Sequence, residues 1–262
     1  MQQGVDDPLT LADITSHVTL MSHLKPLFPA IDIISEEHDA RKLPAPEAVI
    51  DQQYLDSQLP VSGMVKPEDV QVWLDPLDAT KEFSEGLTNY VTVLACIAVK
   101  GTPVAGVVHY PFENKTLWAW KGRGMSFRPT EKPVPGDPLR VIVSRSHAGD
   151  IRTNAPALGV SKDGVTPAGG AGYKVGEVLA GQQDAYLHKT RIKKWDLCAG
   201  HALLNAAGGR MTDWRGRDID YSDGTEPYVR GGIVATMYGH TKLINKLGQL
   251  DLDAMEAANG VK

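Results

Sequence analysis

Three apolar stretches a short distance apart constrain this chain most. VQVWLD (70–75), YVTVLACIAV (90–99) and TPVAGVVHYP (102–111) are rich in β-branched and aromatic residues, and only Lys100-Gly101 separates the last two. A two-residue spacer ending in glycine suits a tight hairpin, because glycine accepts the positive φ that such turns demand. TLWAW (116–120) carries the meander on toward Gly122-x-Gly124, so residues 70–127 are expected to form an antiparallel sheet. Within it, 70–75 is expected to end in an Asp-Pro turn and 90–99 to be a fully buried strand.

Other segments read less directly. Leu11, Ile14, Val18, Met21, Leu24 and Leu27 share one face of a helix over 10–28, ended by Pro26 and Pro29. IDIIS (31–35) reads as a short buried strand and the charged, proline-bearing 39–69 as mostly loop. RPTEKPVPGDP (128–138) has four prolines and marks a boundary between a lobe at 1–128 and a lobe at 139–262. In the second lobe, LRVIVS (139–144), DAYLHKT (184–190) and GGIVATM (231–237) read as strands, and 150–166 as a surface loop. Gly176–Ala180 reads as part of a short helix entered from a glycine loop. LCAGHALLNAAGG (197–209) reads as an apolar helix closed by Gly-Gly, and HTKLINKL (240–247) as the last helix. The pattern is α+β or layered α/β.

The chain has 262 residues and is 42% hydrophobic, enough for one large domain or two small ones. Its 27 basic and 32 acidic residues give a net charge of −5, which argues against a nucleic-acid polymer as partner but leaves room for a small anionic ligand. The longest apolar run, Tyr90 to Val99, falls far short of the ~20 residues of a membrane helix. MQQGVDDPLT has neither a basic n-region nor an apolar h-region, so the sequence reads as soluble and without an export signal. Cys96 and Cys198 each lie in an apolar run and read as buried free thiols, a disulfide being the alternative. Asn114-Lys115-Thr116 is a glycan acceptor triplet, a pattern that also arises by chance.

The chemistry concentrates in WLDPLDAT (73–80). Asp75 and Asp78 flank a proline turn at a strand end, where both carboxylates and the Leu77 carbonyl can converge as oxygen ligands for a hard cation. An ordinary capped Asp-Pro turn explains the octet equally well. Glu36 emerges from the end of IDIIS, and Asp196 stands ahead of the helix at 197–209, where an N-cap aspartate is the plain reading. Three acidic sites, each at the end of a buried element, are harder to dismiss together.

DPLDAT, the upstream SEE and the downstream WDLCAGHALLNAAGG resemble the inositol monophosphatase superfamily of lithium-sensitive phosphatases. VSRSHAG (143–149), PAGGAGYKV (167–175) and IKKWDLCAG (192–200) resemble its branch of adenosine 3′,5′-bisphosphate 3′-phosphatases, which includes a Golgi-resident form. The resemblance runs from about Leu9 to the last helix. It implies a layered α/β/α/β/α sandwich of the sugar-phosphatase type and removal of the 3′-phosphate from a nucleotide bisphosphate with two or more Mg²⁺. A homodimer and a Golgi-lumen location are among its implications, as are a further helix ahead of Leu9 and a membrane anchor in the Golgi form.

Carried over by position, the resemblance makes Glu36, Asp75, Leu77, Asp78 and Asp196 metal ligands. Asp13 becomes the general base and Thr80 the hydroxyl that orients water. Ser144, His147, Gly170 and Lys174 become nucleotide contacts. Apart from the resemblance, Lys193 is a further candidate cation for the charge of a bisphosphate nucleotide. The implied reaction is direct in-line attack by water without a phosphoenzyme. Two rival readings stand beside it: an inositol monophosphate or sugar phosphatase with the same metals, and an inactive nucleotide- or metal-binding module.

Overall fold

A computed structural model describes residues 9–38, 53, 65–129, 138–146 and 151–260, the side chains of 152, 162 and 251–260 excepted. Helix α1 (Leu11–Leu27) opens with a capping box: the Thr10 hydroxyl accepts from the amides of Ala12 and Asp13, and Asp13 accepts from the Thr10 amide. The apolar face expected of this helix is buried at Ile14 and Val18, with Asp13 and His17 beside them, whereas Leu11 is 75% exposed. Pro26 lies inside the last turn rather than ending the helix.

The first sheet has six strands in sequence order: β1 (Asp32–Ser35), β2 (Val70–Asp78), β3 (Thr92–Val99), β4 (Thr102–Tyr110), β5 (Lys115–Trp120) and β6 (Gly124–Met125). β1 runs parallel to β2 and the rest are antiparallel. Lys100 and Gly101 both have positive φ, as the hairpin between β3 and β4 requires. Two expectations need correction. β2 does not stop at Asp75: it runs through Pro76 to Asp78, with a register shift between the two aspartates that absorbs the proline. β3 is buried on one face only. Thr92, Leu94, Cys96 and Ala98 point inward while Ile97 is 38% exposed on an outer face that remains partly open.

The second sheet has the order β11-β13-β9-β7-β8, built from β7 (Leu139–Ser144), β8 (Val160–Ala168), β9 (Ala185–His188), β11 (Arg210–Asp213) and β13 (Ile233–Thr236). β8 replaces most of the surface loop expected at 150–166, and a helical turn α3 (Ile151–Asn154) precedes it. Val160 and Val165 pack in the second core, but glycine and polar residues between them break the strand pattern in the sequence. β10 (Ile192–Lys193) and β12 (Tyr228–Val229) form a separate two-stranded ribbon. The segments 39–64, Gln53 apart, and 130–137 lie outside the described residues.

Helices α2 (Thr80–Ser84), α4 (Ala171–Leu179), α5 (Lys194–Ala206) and α6 (His240–Gly260) complete the chain. α4 and α5 pack on each other; α5 lies on β2 to β5, α4 on β3 and β9, and α6 lies on β13. The layers therefore run α1, sheet, α4 with α5, sheet, α6, the sandwich that the resemblance implies. α4 starts at Ala171 rather than within 176–180, and α5 starts at Lys194 rather than 197, so Asp196 lies in the first turn of its helix instead of ahead of it.

The main core fills the space between the sheets. Trp73 stacks at a tilt on Trp195 with centroids 6.4 Å apart, meets Tyr221 edge-on, and donates its indole N–H to the Tyr221 carbonyl at 3.1 Å. Cys96 on the inner face of β3 and Cys198 on α5 are joined as a disulfide, with Cα atoms 5.6 Å apart. The expectation of free thiols fails because an inward strand position meets the helix face that covers it, at a separation suited to a disulfide.

His201, also on α5, is 5% exposed and pairs its Nδ1 with the Tyr221 hydroxyl at 3.1 Å. Burial lowers its imidazole to about 4. The unfolded chain therefore takes up this proton near pH 6.5 while the folded chain resists it down to about 4. Stability from this site is complete above pH 6.5 and falls by about 1.4 kcal/mol per pH unit below it. Urea unfolding at pH 7 and pH 5 should show His201→Gln losing less stability on acidification than the wild type.

Candidate active site

The parallel pairing of β1 with β2 sets the position of the first carboxylate. Ser35 pairs with Leu74, and the Glu36 amide extends the ladder by donating to the Leu74 carbonyl at 3.1 Å. His17 on α1 reaches the Ser35 hydroxyl at 2.8 Å and ties this strand end to the helix. Glu36 thus leaves the sheet beside Asp75, which is 1% exposed and accepts from the Leu77 amide at 3.1 Å. Asp196 arrives from the other side, in the first turn of α5. One carboxylate oxygen from each of Glu36, Asp75 and Asp196 lies within 4.8 Å of the others.

Such crowding is costly without a counter-charge. Burial first, and then the charges of Glu36, Asp78 and Asp196, push the Asp75 carboxyl well above its ordinary range. Burial and Glu36 do the same to Asp196. Like charges about 4 Å apart repel by about 4 kcal/mol at an effective dielectric near 20, so the set favours a cation at its centre. Its donors are hard oxygens, which fit a divalent ion such as Mg²⁺.

Asp78 lines the same cleft, but its carboxylate is turned onto α4. Oδ1 accepts from the Ala171 amide at 3.0 Å, and Oδ2 accepts from the Gly172 amide at 2.7 Å and the Thr92 hydroxyl at 2.9 Å. A carboxylate at a helix N-terminus is favoured by the unpaired amides there. The glycines make this approach feasible: Gly170 has a φ of 58°, and a Cβ on it would stand 2.5 Å from the Tyr90 carbonyl oxygen.

Beyond Asp78, Ala79 adopts a left-handed φ of 73° and turns the chain into α2. Thr80 is thereby aimed back at α1. Its hydroxyl lies 2.8 Å from Asp13 Oδ1 and 3.0 Å from the Leu77 carbonyl oxygen, so its one proton serves either acceptor. Asp13, 2% exposed, connects through Thr80 to the rim of the acidic group.

The cleft holds about 580 Å³. Ser144 at the end of β7, Gly170 and Lys174 line it, so three of the four expected nucleotide contacts share one cavity with the acidic residues. His147 lies outside the described residues. Lys174 is more enclosed than a surface lysine: its ammonium bonds the Gly170 carbonyl, and burial lowers it to about 8 against the pull of Asp78, Glu82 and Asp196.

Sequence reasoning missed Thr92, whose only signal was a hydroxyl inside an apolar run. It also missed the bridge in which Arg145 reaches Glu82, a residue of the cleft lining, at 3.1 Å and Glu85 at 2.9 Å. No local pattern predicts pairs that are 60 and 63 residues apart in the chain.

The inositol monophosphatase family model matches residues 2–251. The chain belongs to the inositol monophosphatase family. Inositol monophosphatase 3 of Danio rerio is 39% identical, over 94% of this chain and 74% of its own. The Golgi-resident adenosine 3′,5′-bisphosphate 3′-phosphatase of Mus musculus is also 39% identical, over 95% and 72%. Among solved structures, an IMPase of Thermotoga maritima has a TM-score of 0.69 at 21% identity, covering 96% of this chain and 87% of its own. A staphylococcal IMPase-II reaches 0.67 at 16%, covering 94% and 88%. Family membership makes this chain a metal-dependent phosphatase, a hydrolase of phosphoric monoesters.

Replacing Asp75 with Asn keeps the acceptor for the Leu77 amide and removes one charge from the cluster. In chelator-treated protein, Asp75→Asn should melt at or above the wild-type temperature by scanning calorimetry. With Mg²⁺ present, only the wild type should gain several degrees.

Proposed function

We propose that this phosphatase removes the 3′-phosphate of adenosine 3′,5′-bisphosphate, giving AMP and phosphate. The observation that carries the catalytic part is the pairing of the Thr80 hydroxyl with Asp13 at 2.8 Å, next to the carboxylates of Glu36, Asp75 and Asp196. In this reading Glu36, Asp75, Asp196 and the Leu77 carbonyl hold Mg²⁺, with Asp78 adding the lone pairs that its clasp on α4 leaves available. Two bound ions would supply an activated water and neutralise phosphoryl charge. Asp13 takes the proton from the attacking water, and Thr80 orients that water while sharing the Asp13 carboxylate. The first turn of α5 presents its positive end toward the phosphate. Attack is direct and in line.

A nucleotide fits the rest of the cleft. Its volume is in the range of small-molecule sites. Ser144, Gly170 and Lys174 supply polar contacts, and Arg191 lies over the Tyr228 ring at 5.0 Å on the same rim, a flat cationic surface suited to a base or phosphate. Relatives named for the Golgi-resident nucleotide phosphatase support both the substrate and maturation in the Golgi lumen, and the Cys96–Cys198 bridge suits an oxidising compartment. A relative named inositol monophosphatase 3 at equal identity keeps an inositol phosphate as the second reading.

Phosphate release from adenosine 3′,5′-bisphosphate and inositol 1-phosphate at equal concentration separates the two. We expect the nucleotide to be preferred, activity to vanish without Mg²⁺, and millimolar lithium to inhibit. Asp13→Asn should lower kcat by about 10²–10³-fold with little change in KM. Preference for inositol 1-phosphate would overturn the substrate, and an unaltered Asp13→Asn would overturn the base.

A further inference from the structure

Lys193 stands at the junction of the two-stranded ribbon and α5. Its backbone is fixed on both sides: Lys193 pairs with Tyr228 across the ribbon, and the Lys194 amide donates to the Pro227 carbonyl at 2.7 Å. The side chain extends past the Trp195 ring, with Nζ 5.6 Å from its centroid, and bonds Glu36 Oε1 at 2.5 Å. Glu36 is one of the three carboxylates whose oxygens crowd within 4.8 Å, and the Lys193 charge also favours the ionised forms of Asp75 and Asp196. The acidic group therefore already has a cation of its own, brought in by the chain.

An ammonium has only donors and no lone pair, so Lys193 cannot share in holding a metal ion. Its positive charge opposes one. A divalent ion that takes Glu36 as a ligand must draw that oxygen away from Lys193. The anchored backbone and the flexible four-carbon stem allow the ammonium to swing while its root stays fixed. Lys193 lines the cleft, so the displaced ammonium turns toward the space where a phosphate would lie.

We propose that Lys193 is an exchangeable cation, neutralising Glu36 in the metal-free protein and passing to the substrate's phosphate oxygens when metal takes Glu36. The inference rests on the metal-dependent reading of this cleft. It couples the two ligands: metal releases Lys193 for the anion, and the anion, by holding Lys193, eases metal entry. Such coupling is reciprocal and lies typically between about 5- and 150-fold.

Calorimetric titration of the chelator-stripped full chain with Mn²⁺, with and without inorganic phosphate, reads this directly. Without phosphate, Lys193→Gln should bind Mn²⁺ about tenfold more tightly than the wild type, because a competing charge is gone. Phosphate should tighten Mn²⁺ binding at least about 5-fold in the wild type and much less in Lys193→Gln. Lys193→Arg keeps the charge and should retain both wild-type behaviours; it serves as the test if Lys193→Gln lacks a native circular dichroism spectrum, and Mn²⁺ binding tightened tenfold in Lys193→Arg would then overturn the proposal. Equal or weaker Mn²⁺ binding by Lys193→Gln overturns the exchange while leaving the metal site standing. No Mn²⁺ binding by wild type or variant overturns the metal reading as well.

Discussion

Both oxygens of Asp78 are held by amides of a helix that begins more than ninety residues further along the chain. This clasp joins the first sheet to the layer between the sheets. It sets where β2 ends, where α4 begins and how closely the two meet. Thr92 on the neighbouring strand completes it, and glycines at 170 and 172 give the room it needs. Ala79 and Thr80 follow directly, so the left-handed turn that aims Thr80 at Asp13 starts from a residue fixed at both carboxylate oxygens. The glycine loop and the acidic turn therefore work as one unit across the cleft.

A site built this way concentrates negative charge where water is scarce, and the fold has to hold it against repulsion. Asp75 and Asp196 come from different elements and would separate if α5 could drift from the sheet. Several contacts prevent this. Trp73 and Trp195, each near one of the carboxylates in sequence, stack in the core, and Cys198, two residues beyond Asp196, is bonded to Cys96 on β3. Burial of large aromatic surface and a covalent link oppose the electrostatic cost. The repulsion that remains is eased by Lys193 from the chain, and the proposed mechanism would add a divalent ion from solution.

Much of this was legible in the sequence, and the reasons are local. The Lys100-Gly101 spacer and its flanking apolar runs specify a hairpin by turn chemistry alone. Glu36, Asp75 and Asp196 were identifiable because each follows or opens an apolar element, where chain ends meet at a cleft. Other features were not legible because they depend on distant partners. The start of α5 is not legible because Lys193, Lys194 and Asp196 look like a polar lead-in, yet Lys194 is secured by Pro227 from the ribbon. The open outer face of β3 is not legible because a continuous apolar run is the same whether one face or both are covered. β8 was lost because Ser161, Asp163 and Gly164 interrupt its alternation, and its place is secured by parallel pairing with β7.

The separation of roles proposed for Asp78, Asp13 and Asp75 follows from what each already binds. Asp78 is committed to amides and a hydroxyl, so its charge is partly spent on holding the fold. Asp13 is engaged at Oδ2 by Thr10 within its own capping box, which fixes the carboxylate and leaves Oδ1 to face Thr80. Among the described residues Asp75 accepts from one donor, the Leu77 amide, and the charges of Glu36, Asp78 and Asp196 all act against its ionised form. Of these three aspartates Asp75 thus has the fewest donors among the described residues, and one of its oxygens lies within 4.8 Å of oxygens of Glu36 and Asp196. In the proposed mechanism identical side-chain chemistry would serve as clasp, proton acceptor or cation ligand according to which donors the fold has placed around it.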